Sequence, residues 1–212
     1  MVRNNRFIFS SPNMMMVFFL CAGFVLGALF YNIQTSPITT VLAQVAGQGP
    51  TSLLNYDNPN HGIKMQYPKD WTASTSGIPL YNGIIGFYSP LQSLSDTSPA
   101  ELTLSITTYS TPISLDEYTK TTLGALEKQG IKVDESTQNS ISGKPGYKIT
   151  FSPPSPATQT TTVSLKVMQT WTIIDNKVYL LSFSAESSKF STNLPLAQKI
   201  LDSLKIQPLP SV

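Results

Sequence analysis

The chain has 212 residues, 14 Lys plus Arg against 12 Asp plus Glu, a formal net charge of +2 and one cysteine. Arg occurs only at positions 3 and 6, so the rest has no guanidinium fork for bidentate recognition of phosphate or carboxylate. Beyond residue 50, 12 Lys balance 12 Asp plus Glu, which excludes the basic patch of a nucleic-acid binder.

Residues 1–33 open with Arg3 and Arg6 and continue in an apolar run from Met14 to Phe30. As a helix this run would be roughly 26 Å long, just short of a hydrocarbon core. It reads as one N-terminal hydrophobic helix, either a secretory signal peptide cleaved after a site such as Val41-Leu42-Ala43, or an uncleaved signal anchor. The basic flank is expected to stay in the cytoplasm and the remainder to lie outside it, membrane-tethered or secreted. Cys21 lies inside the run, leaving the exported part without disulfides or a thiol nucleophile. Residues 34–52, rich in Gln, Thr, Ser, Pro and Gly, read as a flexible linker.

Regular patterns fill 53–207, long enough for one domain with a real core, and 208–212 form a tail. In "GIKMQYPKDW" Ile63, Met65 and Tyr67 share a strand face until Pro68, which lacks an amide donor. The turn after it is expected to fold Trp71 back onto that face. A short strand is expected at 84–88, and another at 102–107 with Leu102, Leu104 and Ile106 opposite Thr103, Ser105 and Thr107. Ser114 and Glu117 predict a capping box, with Ile113 and Tyr118 as its staple. The helix it starts carries Leu115, Tyr118, Thr122 and Leu126 as its stripe and closes at Gly130.

Further strands are expected at 131–133 and 147–151, followed by a Pro-rich loop over 152–162. Residues 163–174 and 177–185 predict an antiparallel hairpin, since Asp175 and Asn176 tolerate the positive φ of a two-residue turn. A second helix is expected from Pro195 to Leu204, with Pro195 in its first turn. Strand runs broken by two helices predict an α+β fold.

The Gly-apolar-x-apolar-x-Tyr-Pro-x-x-Trp element, "GIIGFYSP", the 114–130 helix, the 171–183 hairpin and the closing "SLKI" together resemble a PsbP-like domain, covering about 53–206. The resemblance implies a central antiparallel sheet with helices packed on both faces, an α/β/α sandwich. It implies a non-catalytic module that binds or helps assemble a protein partner, such as a membrane complex. Some members handle calcium or manganese, so a small-ligand or divalent-metal accessory protein is the alternative. The short apolar leader is unlike a chloroplast transit peptide and suggests an exported prokaryotic protein.

Candidate sites are few. His61 is the single histidine, and no Gly-x-Ser-x-Gly elbow accompanies it. No catalytic constellation or cofactor motif is found. Asp57, Asn60 and His61 are the metal candidates, without the spacing of a calcium loop and in a composition that turn chemistry also explains. Tyr81, Tyr88 and Tyr109 could line a surface groove.

Overall fold

Pro68 ends its strand as expected, and its carbonyl accepts the Trp71 amide at 2.9 Å. Trp71 is thereby turned into the same apolar cluster as Ile63 and Met65. The computed structural model describes residues 52–78, 80–93, 96, 98–154 and 164–207. The leader, all but the last residue of the linker, the tail and most of the Pro-rich loop lie outside the described residues. Among those described, no helix is long and apolar enough to cross a membrane.

Two antiparallel sheets form. The smaller has the order β1 (Leu53–Asn58), β2 (Ile63–Pro68), β10 (Lys205–Ile206). The larger runs β3 (Thr72–Ser74), β4 (Gly83–Tyr88), β5 (Glu101–Thr108), β9 (Lys177–Glu186), β8 (Leu165–Ile174), β7 (Lys144–Phe151), β6 (Val133–Ile141). The β8–β9 hairpin turns at Asp175 and Asn176, with φ of 49° and 59°. Ser142 and Gly143, with φ of 51° and 74°, make a second such turn between β6 and β7.

Helix α1 (Leu115–Lys128) starts where Ser114 accepts the Glu117 amide at 3.1 Å, and Gly130 follows its end with φ of 72°. Tyr118, Thr122 and Leu126 are its buried stripe. Helix α2 (Ser187–Asp202) begins two turns before the expected start, with Pro195 in its interior. Residues 187–194 are poor helix formers, but Phe190 packs its ring 5.1 Å from that of Phe183 on β9. Tertiary packing overrides both propensity and the missing proline donor.

The α/β/α sandwich with helices packed on both faces is overturned. Strands hold 48% and helices 21% of the described residues, arranged as two antiparallel sheets. Seven strands at about 4.8 Å spacing make a face roughly 29 Å wide, which one helix about 10 Å across cannot cover. On one face α2 shares the cover with β1-β2-β10, whose Tyr56 and Tyr67 rings meet Phe87 of β4 at 6.0 and 5.1 Å. On the other face α1 lies over the apolar part contributed by β7, β8 and β9.

Strand β6 is far longer than the expected 131–133. It is a nine-residue edge strand of mostly exposed polar residues, so no apolar alternation marks it. Pairing along β7 holds it, with a Lys148–Glu135 ion pair at 3.5 Å on the surface.

Candidate functional site

The structure does not gather the metal candidates into a cage. Asp57 lies opposite Lys64 across β1 and β2, and its carboxylate meets the Lys64 ammonium at 3.2 Å. Asn60 and His61 sit in the connecting turn, where the His61 amide donates to the Asn58 carbonyl at 3.2 Å and Gly62 takes φ of 64°. Turn geometry and one surface ion pair account for these residues. Among the described residues no group of three or more His, Cys, Asp or Glu comes together. Of the three tyrosines, Tyr109 is core, edge-on to Tyr118 at 6.4 Å, and Tyr81 is exposed. Tyr88 alone belongs to a polar feature.

That feature follows from strand register. Gly86, Thr103, Ser182 and Gln169 form one row across β4, β5, β9 and β8. The next row is Tyr88, Glu101, Ser184 and Val167. Alternation puts both rows on the face opposite Leu102, Leu104, Leu181 and Phe183. An outward face of this kind would carry charged residues, yet Thr103, Ser105, Ser182, Ser184 and Gln169 are all buried. Thr103 Oγ1 donates to the Ser182 carbonyl at 3.3 Å, and Gln169 Nε2 approaches Ser182 Oγ at 3.5 Å.

Glu101 closes this polar corner. Its residue as a whole is part-exposed, but Oε1 is enclosed and has no hydrogen-bond partner among the described residues. Burial pushes its carboxyl up to about 7, with a hydrogen bond from Tyr88 pulling the other way. The Tyr88 ring folds back along its own strand over Gly86, where a Cβ would stand 2.6 Å from the Tyr88 hydroxyl oxygen. Glycine is what leaves room for that ring.

Two other features bear on function less. A groove of about 570 Å³ runs along α1 past Thr119, Leu123, Gly124 and Tyr147. Beneath it, Tyr147 stacks on Trp171 at 5.7 Å, and Trp171 Nε1 donates to Thr119 Oγ1 at 3.0 Å. Asp96 fastens the β4–β5 connection to α2 through Lys189 at 2.6 Å and the amides of Gln92 and Ser98 at 2.9 and 3.1 Å. Burial opposes its ionisation, but those bonds outweigh it and lower the Asp96 carboxyl below its ordinary value.

Sequence reasoning missed Glu101. The alternation of β5 places Thr103, Ser105 and Thr107 opposite Leu102, Leu104 and Ile106 but does not say what covers them, and Glu101 precedes the strand expected at 102–107. The available signal was their chemistry: small hydroxyls recur at Thr103, Ser105 and Thr107 in β5 and again at Ser182 and Ser184, with no Lys among them.

No protein-family model matches the sequence, and no curated protein matches it. Solved structures do share its fold. The solution structure of cyanobacterial PsbP (CyanoP) from Synechocystis sp. PCC 6803 aligns with TM-score 0.52 at 15% identity, over 78% of this chain and 99% of that one. LpqN, involved in cell envelope biogenesis of Mycobacterium tuberculosis, aligns with TM-score 0.52 at 18% identity, over 76% and 87%. The Saccharomyces cerevisiae Ran-binding protein Mog1p gives TM-score 0.50 at 6% identity, over 74% and 96%. The chain therefore has a PsbP-like fold, a likeness of fold alone at these identities.

Proposed function

We propose that this PsbP-like chain is a non-catalytic accessory module that works outside the cytoplasm, tethered to the membrane or released from it by its apolar leader, where it binds a protein partner. The observation that carries the reading is the fold itself, shared over nearly the full length of CyanoP and LpqN. Of the proteins that share it, Mog1p binds Ran and LpqN is involved in cell envelope biogenesis. The leader adds the direction of export: Arg3 and Arg6 precede the apolar run, and no charged side chain follows until Asp57.

Crosslinking in intact cells, followed by purification from the membrane fraction, tests the partner. One discrete, stoichiometric adduct is expected. Recovery of the chain only as itself would defeat the reading. Intact mass settles the leader: a species starting near Gln44 means cleavage, and full-length protein in the membrane fraction means an anchor.

A further inference from the structure

We propose that the outer edge of β6 pairs with the same edge of a second copy of this chain, antiparallel about a two-fold axis at Thr137. The sheet order leaves β1 and β10 as edges of the small sheet, and β3 and β6 as edges of the large one. A short edge strand resists pairing, and β3 and β10 have only three and two residues. Strand β6 has nine, against six in β1, and carries neither Pro nor Lys. Its acids are answered within the chain, Glu135 by Lys148 at 3.5 Å and Asp134 by Lys166 at 4.0 Å. Its bulge lies between Val133 and Glu135, so 135–141 is regular.

The two-residue turn at Ser142 and Gly143 fixes which backbone groups are free. It makes Ile141 and Lys144 a hydrogen-bonded pair, so the backbone groups of Asn139, Thr137 and Glu135 also face β7. The far side of β7 agrees, since the Pro145 and Tyr147 carbonyls accept the Thr172 and Thr170 hydroxyls of β8 at 2.7 and 3.0 Å. The N–H and C=O groups of Ser136, Gln138 and Ser140 therefore point outward, and no strand pairs with them among the described residues. Antiparallel pairing about Thr137 sets Ser136 against Gln138 of the second copy, each exchanging both backbone bonds. Glu135 then meets Asn139 and Thr137 meets itself, so no like charges oppose and a β-branched pair lies at the centre. The segment complements itself, and this selects a second copy as the occupant. A strand seam alone is small, so the dimer is expected to be reversible and concentration-dependent.

Disulfide trapping in the full chain, with Cys21→Ser as background, reads the register. Thr137 is exposed, and across the axis it occupies a non-hydrogen-bonded pair, whose close approach suits a disulfide. Thr137→Cys should cross-link at least about ten-fold faster than Glu135→Cys, displaced along the seam, or Thr121→Cys, exposed on α1. Association through the apolar leader would cross-link all three alike, and that result would overturn the inference. A second variant, Thr137→Glu, sets a carboxylate beside Lys148 of its own chain but against its own copy across the axis. In sedimentation of the full chain in detergent over a concentration series, the native protein should show a monomer–dimer equilibrium. Thr137→Glu should shift it to monomer without lowering Tm. A native chain that stays monomeric, or an equal dimer in Thr137→Glu, would reject self-pairing. This inference is independent of the partner reading: a homodimer adduct contains this chain alone, whereas a partner adduct contains a second protein.

Discussion

The two faces of the seven-stranded sheet are built on opposite terms. One is apolar from Ile85 and Phe87 on β4, through Leu102, Leu104, Leu181 and Phe183, and is closed by α2 and the small sheet. The other is apolar only where α1 covers it, around Ile149, Val167, Trp171 and Leu180. Beyond that cover it turns polar, and still buried, up to Glu101. Strands with the same alternation thus serve a purely structural face and a divided one. A face that keeps Thr, Ser, Gln and an ionisable carboxyl out of water gives up hydrophobic stabilisation that the opposite face keeps.

Truncating a large buried aromatic on each face should give the largest effects. Trp171→Ala and Phe183→Ala are each expected to destabilise by about 3–5 kcal/mol in urea unfolding. Trp171→Phe should recover part of that loss, short of the native value because the bond to Thr119 is absent. If both faces are equally packed, the two alanine variants will agree; a clearly smaller loss for Trp171→Ala would mean that α1 collapses onto the space.

Next in size, Asp96→Ala should lower stability by about 2–3 kcal/mol, because Lys189 loses its enclosed partner and the Gln92 and Ser98 amides lose their acceptor. Glu186, 3.0 Å from Lys189, limits the damage.

The two carboxyls also predict opposite pH behaviour. Asp96 is lowered in the fold, so its contribution is complete above its ordinary value of 3.8 and is lost as pH falls. Glu101 is raised from 4.5 to about 7, so its penalty is absent below pH 4.5 and grows as pH rises through 7. Glu101→Gln should therefore leave stability at pH 4 nearly unchanged and gain about 1–3 kcal/mol at pH 8. Chemical denaturation across that range checks the sign; a loss at pH 8 would show that the ionised carboxylate is satisfied.

The smallest effect concerns the cover rather than the sheet. Gly124 lies inside α1, and a Cβ there would meet nothing within 4 Å. Gly124→Ala should stabilise the helix by about 0.5–1 kcal/mol, read as a small rise in the unfolding midpoint.

Local chemistry was legible along the chain. Ser114 and Glu117 placed the start of α1, Asp175-Asn176 placed the central hairpin, and Tyr-Pro-x-x-Trp placed both the end of β2 and the burial of Trp71. These signals depend on near neighbours only: a side chain capping an amide, a residue tolerating positive φ, a proline without a donor. Strand β6 escaped because an edge strand with little buried surface carries no period to read. The early start of α2 escaped because only the Phe183 ring, distant in sequence, makes helix the better state for residues 187–194.

The sequence by itself determined where the Tyr67-Pro68 strand stops, where the Asp175-Asn176 turn falls and that Leu102, Leu104 and Ile106 oppose Thr103, Ser105 and Thr107. Only the tertiary structure decided what lies against each side, because burial is a property of two surfaces brought together and alternation describes one. It replaced the expected sandwich of helices with a mixed cover of sheet and helix on one face. It also drew the Glu101 carboxyl out of water, where burial makes it a weaker acid than an exposed glutamate.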